Sequence, residues 1–236
     1  MGANKSVLGT GPIIRHALVM TQKPASDFVR ARRMHERAKY DADTVHAVLD
    51  AAPLCHVGHV IANRPVVIPT FHWRDGSTVY WHGSSASRML RANAKGGEAC
   101  LTATLLDGLV YARSAFHHSA NYRSVMVFGL PRLVDGDDEK LAALKGFTDR
   151  LTPGRWEALR PVNAQELKAT SVLALEISEA SAKIRTGPPG DDAEDVTWPI
   201  WGGVLPLHMA AGAPIDDQYV AGRFSAPKTP FAVITR

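Results

Sequence analysis

The apolar positions of this chain recur mostly at every second residue, in short runs separated by turn residues. That is the pattern of half-buried strands. LCHVGHVIA (54–62) runs up to Asn63. VVIPTFHW (66–73) and TVYWHG (78–83) flank Arg74-Asp75-Gly76-Ser77. An Asp-Gly between two β-rich runs predicts a hairpin. EACLTATLL (98–106), LVYARSAF (109–116), SVMVFGLPRLV (124–134), SVLALEIS (171–178) and SAKIRT (181–186) read as further strands, with Asp107-Gly108 as a turn. Helical spacing appears three times: after Asp41, with Asp43 as N-cap and a stripe of Val45, Val48 and Leu49; over ASRMLRANAK (86–95); and over DDEKLAALKGFTDRL (137–151), stopped by Pro153-Gly154. Strands with short helices between them, and no βαβ alternation, predict a mainly β fold, an antiparallel barrel with decorating helices.

Residues 1–40 lack clean periodicity and read as an N-terminal arm. Residues 41–207 hold the barrel, and 208–236, rich in Ala, Gly and Pro, read as an irregular C-terminal tail. With 236 residues, 45% hydrophobic and 21% charged, the chain can bury a real core, which excludes wholesale disorder. No apolar run is long enough for a transmembrane helix, and VLGTGPII is too short and broken for a signal peptide. Cys55 and Cys100 cannot build a disulfide framework, so a reducing, cytoplasmic location is expected. The net charge is +4, with one basic cluster at Arg30, Arg32, Arg33, Arg37 and Lys39. No aromatic residues interleave with it, so it reads as a solvated arm rather than a nucleic-acid contact.

Tyr80-Trp-His-Gly-Ser-Ser-Ala-Ser-Arg-Met-Leu ends a strand and opens a helix. Free N–H groups at such a start, with Ser84, Ser85, Ser87 and Arg88, suit a phosphate. An ordinary serine N-cap beside a surface arginine explains the same residues. The ten histidines invite a metal reading, which strand parity opposes. With Asp75-Gly76 as the loop, His72 pairs with Val79 and Pro69 with His82. His72 then shares a face with Thr70, Val79 and Trp81, and His82 lies on the opposite face with Pro69, Phe71 and Tyr80. Cys55 and His59 likewise face away from His56. No metal site is expected. There is no Gly-x-Ser-x-Gly elbow and no dinucleotide or P-loop glycine pattern. Asn121-Tyr122 before Arg123-Ser124 places donors at a barrel mouth, and Trp198 and Trp201 could stack on a flat ring or serve a core or dimer.

PVVIPTFHWRDGSTVYWHGSSASRMLRAN and CLTATLLDGLVYARSAFHHSANYRSVMVFG resemble the flavin-binding split-barrel proteins related to pyridoxamine 5'-phosphate oxidase, and within them the nitroimidazole-resistance-type flavoproteins. The landmarks are Tyr80-Trp81-His82 before the serine helix, and Tyr122-Arg123-Ser124-Val125 with Phe128-Gly129. The resemblance implies a homodimer of split β-barrels with FMN at the subunit interface. Val67, Ile68, Pro69, Thr70 and Phe71 would run along the flavin ring. His82 and Gly83 would meet the ribityl chain or phosphate, Ser84, Ser87 and Arg88 the phosphate, and Ser124 the flavin. His72 would face the substrate, as the candidate catalytic proton donor. Val67 stands where the oxidases carry an arginine, and Met89 where they carry a lysine. Those departures weaken the phosphate set and leave weaker FMN affinity, a different flavin or haem open as alternatives, with His72, His82, His117 or His118 as axial ligand of the haem. The activity implied is reduction of a small electron-poor, nitroaromatic-like substrate. A flavin or haem carrier without turnover is the alternative.

Overall fold

The computed structural model describes residues 23–220, 222, 224–228 and 232–233; most of the predicted N-terminal arm lies outside it. The described end of the arm joins the barrel: β1 (Ala38–Lys39) pairs with β9 (Glu179–Arg185). α1 (Ala42–Ala51) follows. Its N-cap is Asp41, whose carboxylate accepts the Thr44 N–H at 2.9 Å, and not Asp43. Asp43 sits in the first turn, where its charge suits the helix dipole.

β2 (Leu54–Ile61), β3 (Arg64–Asp75), β4 (Thr78–Ser84), α2 (Arg88–Ala94), β5 (Ala99–Tyr111), β6 (Ser119–Gly129), β7 (Arg132–Leu133), α3 (Asp137–Leu151), α4 (Ala164–Ala169), β8 (Thr170–Glu176) and β10 (Gly203–Pro206) make up the rest of the barrel. In the tail, β11 (Ala210–Ala211) pairs in parallel with β12 (Ala232–Val233). The main sheet runs β1-β9-β6-β5-β2-β3-β4-β8-β7, all antiparallel, with β10 added to β5. The molecule is a split β-barrel. β3 makes the split, because residues 64–71 pair with β2 and residues 72–75 pair with β4.

Two further local expectations change. The hairpin closes one residue later, with Asp75 opposite Thr78 and Gly76-Ser77 as the loop, where Gly76 takes a φ of 55°. His72 therefore pairs with Trp81 rather than Val79. A two-residue slip preserves strand parity, so the predicted faces survive. Asp107-Gly108 is not a turn. β5 continues through it, with a bulge between Leu106 and Gly108 in its ladder with β6. Gly108 is needed because β10 lies on it: a Cβ there would meet Val204 at 3.0 Å and the Leu205 carbonyl at 3.1 Å. α4, opened by an Asn163–Glu166 capping box, and β10 are too short to show a period in sequence.

The main core joins α1 (Val45, Val48, Leu49) to Val57, Trp81, Leu101, Val125, Val127, Leu173 and Leu175. A second core lies under α3, where Trp73, Val134, Val172 and Ala174 meet Ala143 and Phe147. Gly146 lets α3 settle there, since a Cβ would come within 3.1 Å of the Trp73 indole.

Candidate functional site

Cys55, Val57 and His59 point into the barrel, so Leu54, His56, Gly58 and Val60 point out. Register carries this outer face across four strands. One row is Pro69, His56, Thr102, Met126. The next is Val67, Gly58, Cys100, Phe128. Leu54, Val60, Val67, Phe71, Leu106 and Met126 are exposed on it. An open apolar face of this extent marks a ligand or subunit contact. At one margin Phe28 of the arm packs edge-on to Phe128 at 4.8 Å. His56, which strand parity sets opposite Cys55 and His59, lies on this open face, and so does Met126, which was not singled out from sequence and which parity relative to Val127 would have flagged.

Over residues 64–71, β3 bonds β2 along one edge, and among the described residues no strand pairs with its other edge. Pro65 and Pro69 lie in this stretch, where a ladder tolerates them. Backbone N–H groups along such an edge are free to meet a flat heterocycle. Val67, Pro69 and Phe71 of the predicted ring-side strand turn their side chains to the open face, whereas Ile68 and Thr70 turn inward.

His72 also turns inward and is 1% exposed. Its Nε2 donates to the Leu49 carbonyl at 2.9 Å, and burial pushes its pKa down to about 4. It ties β3 to the last turn of α1, together with Arg150, which donates to the Leu49 and Ala52 carbonyls. A cavity of about 200 Å³ beside them is lined by Asp50, Pro53, Phe71, His72, Phe147 and Arg150. The structure thus gives His72 a buried anchoring place rather than an open one.

His82 lies under α3, with its ring 4.4 Å from Phe147 and 5.6 Å from Trp73, and burial lowers its pKa. Gly83 backs onto Leu90 of α2, where a Cβ would stand 3.1 Å from the leucine side chain. In the serine loop the Ala86 N–H donates to Ser84 Oγ, and the Ser87 N–H to the Ser84 carbonyl. Ser87 is the N-cap residue of α2, but its hydroxyl makes no capping bond, so the ordinary serine cap is not formed. Arg88 is exposed and makes no ion pair among the described residues. Ser124 donates to the Lys183 carbonyl at 3.2 Å on the outer face. Asn121 accepts from Arg185 and donates to the Gly187 carbonyl, and Arg123 grips Asp107 with two bonds at 2.9 and 2.7 Å.

The β5–β6 end carries exposed aromatics. Trp201 lies 5.7 Å from Tyr111, whose ring meets His118 edge-on at 5.9 Å. His117 Nε2 faces Asp192 Oδ2 at 3.2 Å, and His118 Nδ1 donates to the Ser114 carbonyl at 2.9 Å. Among the described residues no three His, Cys, Asp or Glu side chains gather to hold a metal, and no helix is long and apolar enough to cross a membrane.

Residues 41–184 match the protein family described as pyridoxamine 5'-phosphate oxidase. The chain is 47% identical to the flavocytochrome Anf3 from Azotobacter vinelandii, covering 87% of this chain and 96% of that one, with a TM-score of 0.83. It is 38% identical to an FAD and heme binding protein from Mycobacterium smegmatis, over 81% of this chain and 94% of that one, with a TM-score of 0.78. A putative 5-nitroimidazole antibiotic resistance protein from Bacteroides thetaiotaomicron shares the fold, at 19% identity over 62% of this chain and 86% of that one, with a TM-score of 0.52. No curated protein matches.

Proposed function

Since this chain belongs to the pyridoxamine 5'-phosphate oxidase family, we propose that it is a flavin-dependent oxidoreductase working as a homodimer, with haem as a second prosthetic group. The observation that carries the flavin reading is the open apolar face beside the edge of β3 that no strand among the described residues pairs. The haem reading is favoured by the two relatives at 47% and 38% identity, a flavocytochrome and an FAD and heme binding protein. The sequence resemblance implies FMN; the second of these relatives favours FAD. Bound flavin would supply two-electron chemistry that can be passed on one electron at a time, and haem a one-electron acceptor.

The chain's own residues bind and orient. Backbone N–H groups on the free edge of β3 meet the polar rim of the ring, while Val67 and Phe71 give it an apolar bed. Arg88, with the Ser84 and Ser87 hydroxyls, holds phosphate. A second copy of the chain covers the outer face, excluding water from the ring and leaving room for a small-molecule substrate. A nitroaromatic-like, electron-poor compound is the substrate class to assay first. Cys55 and Cys100 are both free, in keeping with a cytoplasmic location.

The test is to purify the protein, record its visible spectrum, and identify the released flavin by chromatography after denaturation. Flavin near one per chain, in a particle of twice the monomer mass, is expected. No flavin, even after incubation with FMN and FAD, would overturn the reading.

A further inference from the structure

We propose that His118 Nε2 is an axial ligand of a haem iron, held at the aromatic end of the β5–β6 ladder. This rests on the haem part of the reading above and names its site.

A histidine that ligates iron needs a lone pair on an accessible nitrogen, and its other N–H is ordinarily held by a carbonyl or carboxylate. His118 meets both conditions. A carbonyl can only accept, so the 2.9 Å contact from Nδ1 to the Ser114 carbonyl places the proton on Nδ1. Nε2 therefore carries the lone pair, on an exposed ring, and nothing among the described residues hydrogen-bonds it. The donor is fixed as well, because Ser114 and His118 bracket a single 3-10 turn, Ala115–His117.

The surroundings suit a flat apolar macrocycle. Phe116 is 88% exposed and Trp201 65%, with Trp198, Ile200 and Tyr111 exposed alongside in sequence or space. Aromatic rings left open to water to this extent are costly unless something planar or apolar covers them.

Five other histidines are worse placed. His72 has spent Nε2 on Leu49 and is sealed under α1. His82 is packed between Trp73 and Phe147. His59 is buried in the barrel interior, where a porphyrin cannot reach. His117 directs Nε2 at Asp192. His56 is exposed on the proposed flavin face, but among the described residues no hydrogen bond sets its tautomer.

The experiment titrates hemin into the full-length, flavin-loaded protein, into His118→Ala and, as a control, into a variant of the exposed His208 between β10 and β11, His208→Ala, with flavin content measured on each sample. Wild type and His208→Ala should give the Soret band of imidazole-ligated haem. His118→Ala, with flavin retained, should lose that band and regain it when free imidazole is added. An unchanged Soret band in His118→Ala would overturn the ligand assignment while leaving haem binding standing. Failure of wild type to perturb the hemin spectrum would overturn both haem binding and this ligand. Loss of the band that imidazole does not restore would also overturn the assignment, because a vacated ligand position accepts the free base.

Discussion

His72 Nε2 stands 2.9 Å from the Leu49 carbonyl and ties the strand that splits the barrel to the C-terminal turn of α1. That turn has no basic residue of its own, so its open carbonyls depend on His72 and on Arg150 from α3. The residue that sequence analogy offers to the substrate is thereby engaged in holding two elements together.

The His72 bond has a pH signature. Its folded pKa, about 4, lies below the ordinary 6.5, so the unfolded chain binds more protons between those values. Stability from this group is complete above pH 6.5 and is lost as pH falls towards 4. His46 and His82, also lowered by burial, act in the same direction. The midpoint of urea unfolding should drop across this window. In His72→Leu the slope should flatten, with a loss at neutral pH of about 1–3 kcal/mol for the bond removed. An unaltered slope would place the titration elsewhere.

Gly146 measures how tightly α3 seats on Trp73. An added Cβ stands 3.1 Å from an indole that is only 2% exposed. Overpacking costs about 1–3 kcal/mol, and the helix gains about 1 kcal/mol on losing a glycine. Gly146→Ala should therefore be neutral to about 2 kcal/mol less stable in thermal melts. A clear gain in Tm would mean that α3 has room to shift.

Arg88 is exposed and makes no ion pair among the described residues, which suits a phosphate anchor. Losing a charge-assisted bond worth about 1.5–3 kcal/mol should weaken flavin binding roughly 10- to 100-fold in Arg88→Ala. Fluorescence titration of the apoprotein would measure this, and equal affinity would remove Arg88 from the site.

Asp41 caps α1 through Thr44, and that hydrogen bond holds its carboxyl below the usual range. Asp41→Ala should cost about 1 kcal/mol in chemical denaturation. Asp43→Ala should cost less, since Asp43 contributes only to the dipole.

Period-two alternation alone marked most of the strands, and strand parity assigned the correct faces to His72, His82, Cys55, His56 and His59 even though the hairpin register slipped. Faces survive such a slip because side chains alternate with a period of two, which a two-residue shift leaves intact. The landmarks around Tyr80 and Tyr122 placed the chain in its family. What local pattern could not carry was anything that depends on a distant neighbour. Asp107-Gly108 reads as a turn in isolation and becomes a bulge because β10, about a hundred residues on, packs against Gly108. His72 and His118 are both candidate ligands as letters in a sequence. Only the fold gives one of them a buried carbonyl for Nε2 and the other a carbonyl for Nδ1, and a hydrogen bond made to one ring nitrogen rather than the other decides which lone pair remains to be used.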